Sequence, residues 1–170
     1  MRVVHSFDMS EKIPSHYDEQ GRARMVDISG KPVTTRVARA TGCITLSPAT
    51  VTAIQEGTVP KGNPFEAARL AGISAAKKTS ELIPLCHPLR LNAVEVEISL
   101  SAGDSAVEVS TKVSADDRTG VEMEALTACT VALLTVYDML KAIDQAMVIG
   151  SVRLVEKTGG KSDFTAPPAP

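Results

Sequence analysis

The chain has 170 residues, 44% of them hydrophobic and 22% charged, an ordinary composition for one globular domain with its own core. A net charge of −2 and 3% aromatic residues without Trp leave neither a basic stripe nor stacking platforms, so nucleic acid is not an expected partner. The three cysteines, Cys43, Cys86 and Cys129, are far apart with no C-x-x-C, which argues against a disulfide framework and a structural zinc site. With no charge-free run of about 18 apolar residues and no apolar signal core, a cytoplasmic protein without membrane contact is expected.

Residues 1–24 are polar and aperiodic and read as a flexible arm, with His5 and His16 as solvated bystanders and some order near Met25-Val26-Asp27. A single domain is expected over 25–164, followed by a disordered Pro-rich tail, 165–170. β-Branched residues and weak alternation over 34–46 predict a strand, and Ser47-Pro48 opens a short helix closed by Gly57. A Gly/Pro-rich loop carrying Lys61 leads to Asn63-Pro64, which with Glu66 at the third position opens a second, Ala-rich helix to residue 78. In residues 82–89, LIPLCHPL, two prolines exclude a regular helix and hold Cys86-His87 in a rigid loop. Alternating runs over 91–100 and 106–114, separated by Gly103-Asp104, predict an antiparallel hairpin.

Residues 118–141 predict one long helix, with Thr119 as N-cap and Glu122 closing a capping box. From 126 to 140 apolar or small residues run nearly all round it, which predicts a helix covered on several sides and in contact with a second chain. A last strand over 151–157 ends at Gly159-Gly160. Strand, helix, helix, hairpin, helix, strand is the split βαβ pattern. The expected class is α+β: a ferredoxin-like antiparallel sheet covered by helices, with one extra helix.

The long helix also carries the charges of most interest. Glu124 and Asp138 are fourteen positions apart, so they point within about 40° of one another but lie ~21 Å apart along the axis. One small substrate does not reach both within a chain, so if both ends are chemical the site lies at an oligomer interface. Acidic residues in a first helical turn also serve the macrodipole, and Asp138 with Lys141 is equally an i,i+3 surface pair. His87 is a candidate acid or base held by its prolines. Cys86 reads as packing, because neighbours on an extended backbone face opposite ways. Arg36, Lys61, Lys141, Lys157 and Lys161 are dispersed cations that together suit a polyphosphate, although no phosphate-loop motif is present.

These residues fall into recognisable segments. Residues 82–89, LIPLCHPL, and 119–127, TGVEMEALT, together with Tyr137-Asp138-Met139, Lys141, Met25-Val26-Asp27 and Gly159-Gly160-Lys161-Ser162, resemble the cyclic pyranopterin monophosphate synthase family of molybdenum cofactor biosynthesis over about residues 25–164. The resemblance implies a non-redox lyase acting by general acid/base catalysis. It would convert 3′,8-cyclo-7,8-dihydroguanosine 5′-triphosphate to cyclic pyranopterin monophosphate and release diphosphate. It also implies a homohexamer, a trimer of dimers, with sites at the dimer interface. Asp138 and Lys141, with His87 and Lys61, fall on its catalytic positions. Leu85, Cys86, His87, Met123, Glu124, Glu122, Arg36 and Lys157 fall on its substrate contacts. No resident cofactor or metal site is implied, and a divalent cation can accompany the substrate triphosphate. The chain departs from the family pattern at Arg118, a lysine position in some relatives, and in residues 159–164, one residue shorter. Two other classes remain open on the residues: an oligomeric nucleotide- or pterin-binding protein without turnover, and a Cys86-dependent hydrolase.

Overall fold

Alternation sets the central strand. Residues Thr34–Thr45 form β1, burying Arg36, Ala38, Ala40 and Ile44 on one face and exposing Thr35 and Arg39 on the other. The computed structural model describes residues 16–18, 20–103 and 105–167. Most of the expected arm with His5, the hairpin residue Asp104 and tail residues 168–170 lie outside the described residues.

The hairpin strands are β2, Leu91–Leu100, and β3, Ala106–Asp117, and the strand after the long helix is β4, Ile149–Thr158. A two-residue strand β5, Phe164–Thr165, was not expected; it pairs with β4, and Ala166 N–H donates to the Val155 carbonyl at 2.7 Å. The sheet runs β2-β3-β1-β4-β5 with every pair antiparallel. Its first four strands have the ferredoxin-like order expected from the sequence.

Local chemistry starts the first two helices as predicted. Helix α1, Pro48–Gln55, has Ser47 as N-cap accepting from Thr50 N–H, and α2, Pro64–Ala76, has Asn63 accepting from Phe65 and Glu66 N–H. The base of α1 is also held by Asp144, whose carboxylate accepts from Ser47 N–H at 2.9 Å and which sits below the usual carboxylate range because of its backbone donors. A single turn, α3, Thr79–Leu82, precedes the proline loop.

The long helix α4 spans Glu122–Leu140 and starts later than predicted. Val121 takes the N-cap position and no side chain caps it, so the Thr119 capping box does not form. The reason is long-range: the Glu122 carboxylate turns to the Lys157 ammonium, 3.2 Å away, and lies over Gly120, where a Cβ would collide with it. Ala125, Ala128, Cys129, Ala132, Leu133, Val136 and Leu140 recur at helical spacing as the buried stripe of α4, against β1, β3, β4 and α2. Each large member contributes about 1.5–3 kcal/mol by leaving water. Gly72 lets α2 approach closely, since a Cβ there would sit 3.0 Å from the Ala128 carbonyl. By length and composition α4 is also apolar enough to cross a membrane, and here it is the core helix of the sheet. Its two ends, not its middle, carry the charge.

Candidate active site

At the N-terminal end of α4 a cavity of about 200 Å³ is bounded by Cys86, His87, Met123 and Glu124, with Leu85, Thr119 and Gly120 around them. The proline loop reaches it because Pro84 occupies the second position of a turn closed by Cys86 N–H donating to the Ile83 carbonyl at 3.1 Å. The backbone here turns, so Cys86 and His87 both line the cavity, contrary to the expectation that they face opposite ways. His16, expected to be a bystander, lines it too, as do Val26, Ile28 and Lys31 from the segment before β1.

Glu124 is the most perturbed group there. It is 4% exposed, and burial, with a lesser contribution from the nearby Glu122 charge, pushes its carboxyl up to about 7. Among the described residues no cation pairs with it. Burial and the Glu124 charge push the Cys86 thiol up, which disfavours the thiolate a cysteine hydrolase needs. Glu122 and Lys157 form an ion pair, with the Glu122 carboxylate against Gly120 of the cavity wall. Arg36 is 8% exposed and held in place, its Nε donating to the Asp117 carbonyl at 3.1 Å and one outer nitrogen to that of Arg118 at 3.3 Å.

The other candidates meet at the far end of the same helix. Lys61 Nζ lies 2.7 Å from Asp138 Oδ2 and donates to the Asp138 carbonyl at 2.9 Å, while Lys141 Nζ lies 2.8 Å from Oδ1. The loop between α1 and α2 delivers Lys61 by a tight turn, Gly62 N–H to the Val59 carbonyl, with Gly62 at φ 89°. Hydrogen bonds from Lys141 and then Lys61 hold the Asp138 carboxyl at about 2, and Asp138 raises the Lys141 ammonium. Because the two groups are opposite in charge and exposed, each stabilises the charged form of the other and their pKa values move apart. The result is one fixed carboxylate orienting two ammonium groups at the helix C-terminus, a geometry suited to gripping an anion.

The candidates thus form two sets, with Glu124 and Asp138 ~21 Å apart along α4. Sequence reasoning marked Met25-Val26-Asp27 but did not foresee that His16, Val26, Ile28 and Lys31 line the cavity, nor the capping role of Asp144; Asp27-x-Ser29, an Asx turn with Ser29 N–H on Asp27 Oδ1 at 2.8 Å, was a further local signal for the former. Among the described residues no group of three or more His, Cys, Asp or Glu is arranged to hold a metal ion.

The molecule is an antiparallel α+β protein with an acid–histidine cavity at one end of its core helix and two lysines paired to one carboxylate at the other. The chain belongs to the MoaC family, whose model matches residues 25–160. It is 55% identical over 159 residues to the cyclic pyranopterin monophosphate synthase of Parvibaculum lavamentivorans, covering 93% of this chain and 99% of that one. It is 54% identical over 148 residues to that of Thermomicrobium roseum, covering 87% and 89%. To that of Streptomyces griseus it is 54% identical over 159 residues, covering 92% and 89%.

Proposed function

We propose that the chain carries out the cyclic pyranopterin monophosphate synthase reaction of molybdenum cofactor biosynthesis. It takes 3′,8-cyclo-7,8-dihydroguanosine 5′-triphosphate to cyclic pyranopterin monophosphate and diphosphate. The observation that carries this is the near full-length match, at 54% and 55% identity, to relatives bearing that name.

The chemistry is that of a non-redox lyase. A hydroxyl derived from the ribose attacks the α-phosphorus, a new O–P bond forms, the bond to the departing diphosphate breaks, and the hydroxyl proton passes to the diphosphate or to solvent. Lys61 and Lys141 stabilise the charge gathering on the phosphates, held side by side by Asp138, and Lys141 is the ammonium acid beside them. Opening and rebuilding the purine-derived ring needs proton transfers. Glu124, at about 7, exchanges a proton near neutral pH, and His87 lies beside it in the same cavity. Leu85, Cys86, Met123, Glu122, Arg36 and Lys157 complete the substrate contacts. The protein uses no resident cofactor, and a divalent cation enters with the triphosphate.

The two half-sites work together across a subunit boundary, in a cytoplasmic homohexamer built as a trimer of dimers. The separation of Glu124 from Asp138 supports this, as does the outer face of α4, where Leu134 is 53% exposed. Incubating the purified chain with the cyclic dihydroguanosine triphosphate should release diphosphate and pterin product in equal amounts. No product, alongside an active control synthase, would overturn the proposal.

A further inference from the structure

We infer that residues 25–31 form a positioning strap for the cavity, and that the Val26 carbonyl fixes His87 as the tautomer with hydrogen on Nε2 and a free lone pair on Nδ1. The starting observation is a contact that spans 61 positions of sequence: His87 Nε2 lies 2.8 Å from the Val26 carbonyl oxygen. A carbonyl only accepts, so the hydrogen in this bond belongs to Nε2. His87 Nδ1 has no hydrogen-bond partner among the described residues, where no buried side-chain nitrogen or oxygen lacks one. Among the described residues Nδ1 is therefore uncovered, on a residue that lines the cavity.

The strap is secured beyond this bond. Arg118 Nε donates to the Lys31 carbonyl at 3.0 Å, so the second latch comes from the residue just before Thr119 and Gly120 on the cavity wall. Between the latches, the Asx turn at Asp27 and a turn closed by Lys31 N–H on the Ile28 carbonyl at 3.0 Å shape the segment, and Val26, Ile28 and Lys31 face the cavity. The Asp27 carboxylate lies close enough to His87 to feel its charge, and Cys86, Glu124, His16 and Lys31 are the other titratable groups around the cavity. A histidine tethered through Nε2 offers one atom to a ligand, Nδ1, as acceptor or base. The strap thus acts on the reaction through His87 and is a positioning element. Its effect on turnover rests on the proposed reaction, whereas its geometry is readable without substrate, so the two ideas fail separately.

The test uses the full chain labelled with ¹⁵N-histidine, examined near pH 8. His87, assigned by the loss of its signals in His87→Gln, should show hydrogen on Nε2, slow exchange of that hydrogen, and an unprotonated Nδ1. Arg118→Gln, which opens the far latch, should speed that exchange and lower turnover by about tenfold, the worth of roughly one hydrogen bond. Two replacements at the histidine separate its nitrogens. Gln places an amide near Nε2 and should keep the backbone amides of the strap protected from hydrogen exchange, while Asn reaches only the Nδ1 position and should lose about tenfold of that protection. Hydrogen on Nδ1 in the unaltered chain, an Nε2 hydrogen exchanging as fast as that of a free imidazole, or equal loss of protection in the Gln and Asn variants would each overturn the inference.

Discussion

Replacing Glu124 by Gln should make the protein more stable and less active, and the stability gain should depend on pH with a definite sign. Burial moves this carboxyl from an ordinary value of 4.5 to about 7, which corresponds to about 3 kcal/mol. Between those two values the folded chain binds more protons than the unfolded one, so Glu124 erodes stability as pH rises through that window. The full penalty is present above about pH 7 and absent below about pH 4.5. Glutamine cannot ionise and keeps the shape. At ~2–4 °C per kcal/mol for a chain of this size, Glu124→Gln should melt about 6–12 °C higher than the parent near pH 8 and much closer to it near pH 5. The assay is thermal unfolding of both proteins at one fixed subunit concentration, at both pH values, with turnover measured in parallel. A variant that melts no higher near pH 8, or whose advantage is the same at both pH values, would show that Glu124 is not a destabilising buried carboxylate. So costly a group is consistent with the proton-transfer role proposed for it.

Asp138→Asn should lower turnover by about 10²- to 10⁴-fold while lowering melting only slightly near neutral pH, because the proposed task of the carboxylate is to orient Lys61 and Lys141 and an exposed ion pair is screened by solvent. Its depressed pKa contributes only above the ordinary carboxyl range and is lost as pH falls toward about 2; an activity loss that tracks unfolding would contradict this role. Cys86→Ala should keep most of the turnover, since the raised thiol is not a ready nucleophile; abolished turnover with the fold intact would revive the hydrolase reading. Subunits carrying Glu124→Gln and Lys141→Ala, each inactive alone, should regain activity at about a quarter of the sites when mixed one to one and reassembled, because half the dimers are mixed and each of these has one intact site. Activity no greater than the sum of the parents' residues would place both sets within one chain.

Legibility from sequence followed the range of the interactions. Ser47 and Asn63 were readable as caps because the groups they satisfy lie within three residues, and β2 and β3 because alternation is local. Thr119 failed as a cap because Glu122 is drawn to Lys157, and no pattern within one turn reports a partner 35 positions away. The meeting of Lys61 with Asp138, 77 positions apart, depends on how α2 packs against α4. Family resemblance pointed to both residues, but only the fold gives the two lysines on one carboxylate and their opposed protonation. The contact to the Val26 carbonyl had no side-chain signature, since every residue offers the same group.

Helix α4 joins the two charged ends through nineteen residues of uninterrupted hydrogen bonding. Inserting one residue would swing Asp138 by about 100° about the axis relative to Glu124, and inserting four would nearly restore its bearing while displacing it by ~6 Å. The helix is therefore a gauge as well as a core element. Changes of side chain in its middle that keep the packing leave this gauge intact, while any change in residue count resets the angle and spacing between its two charged ends.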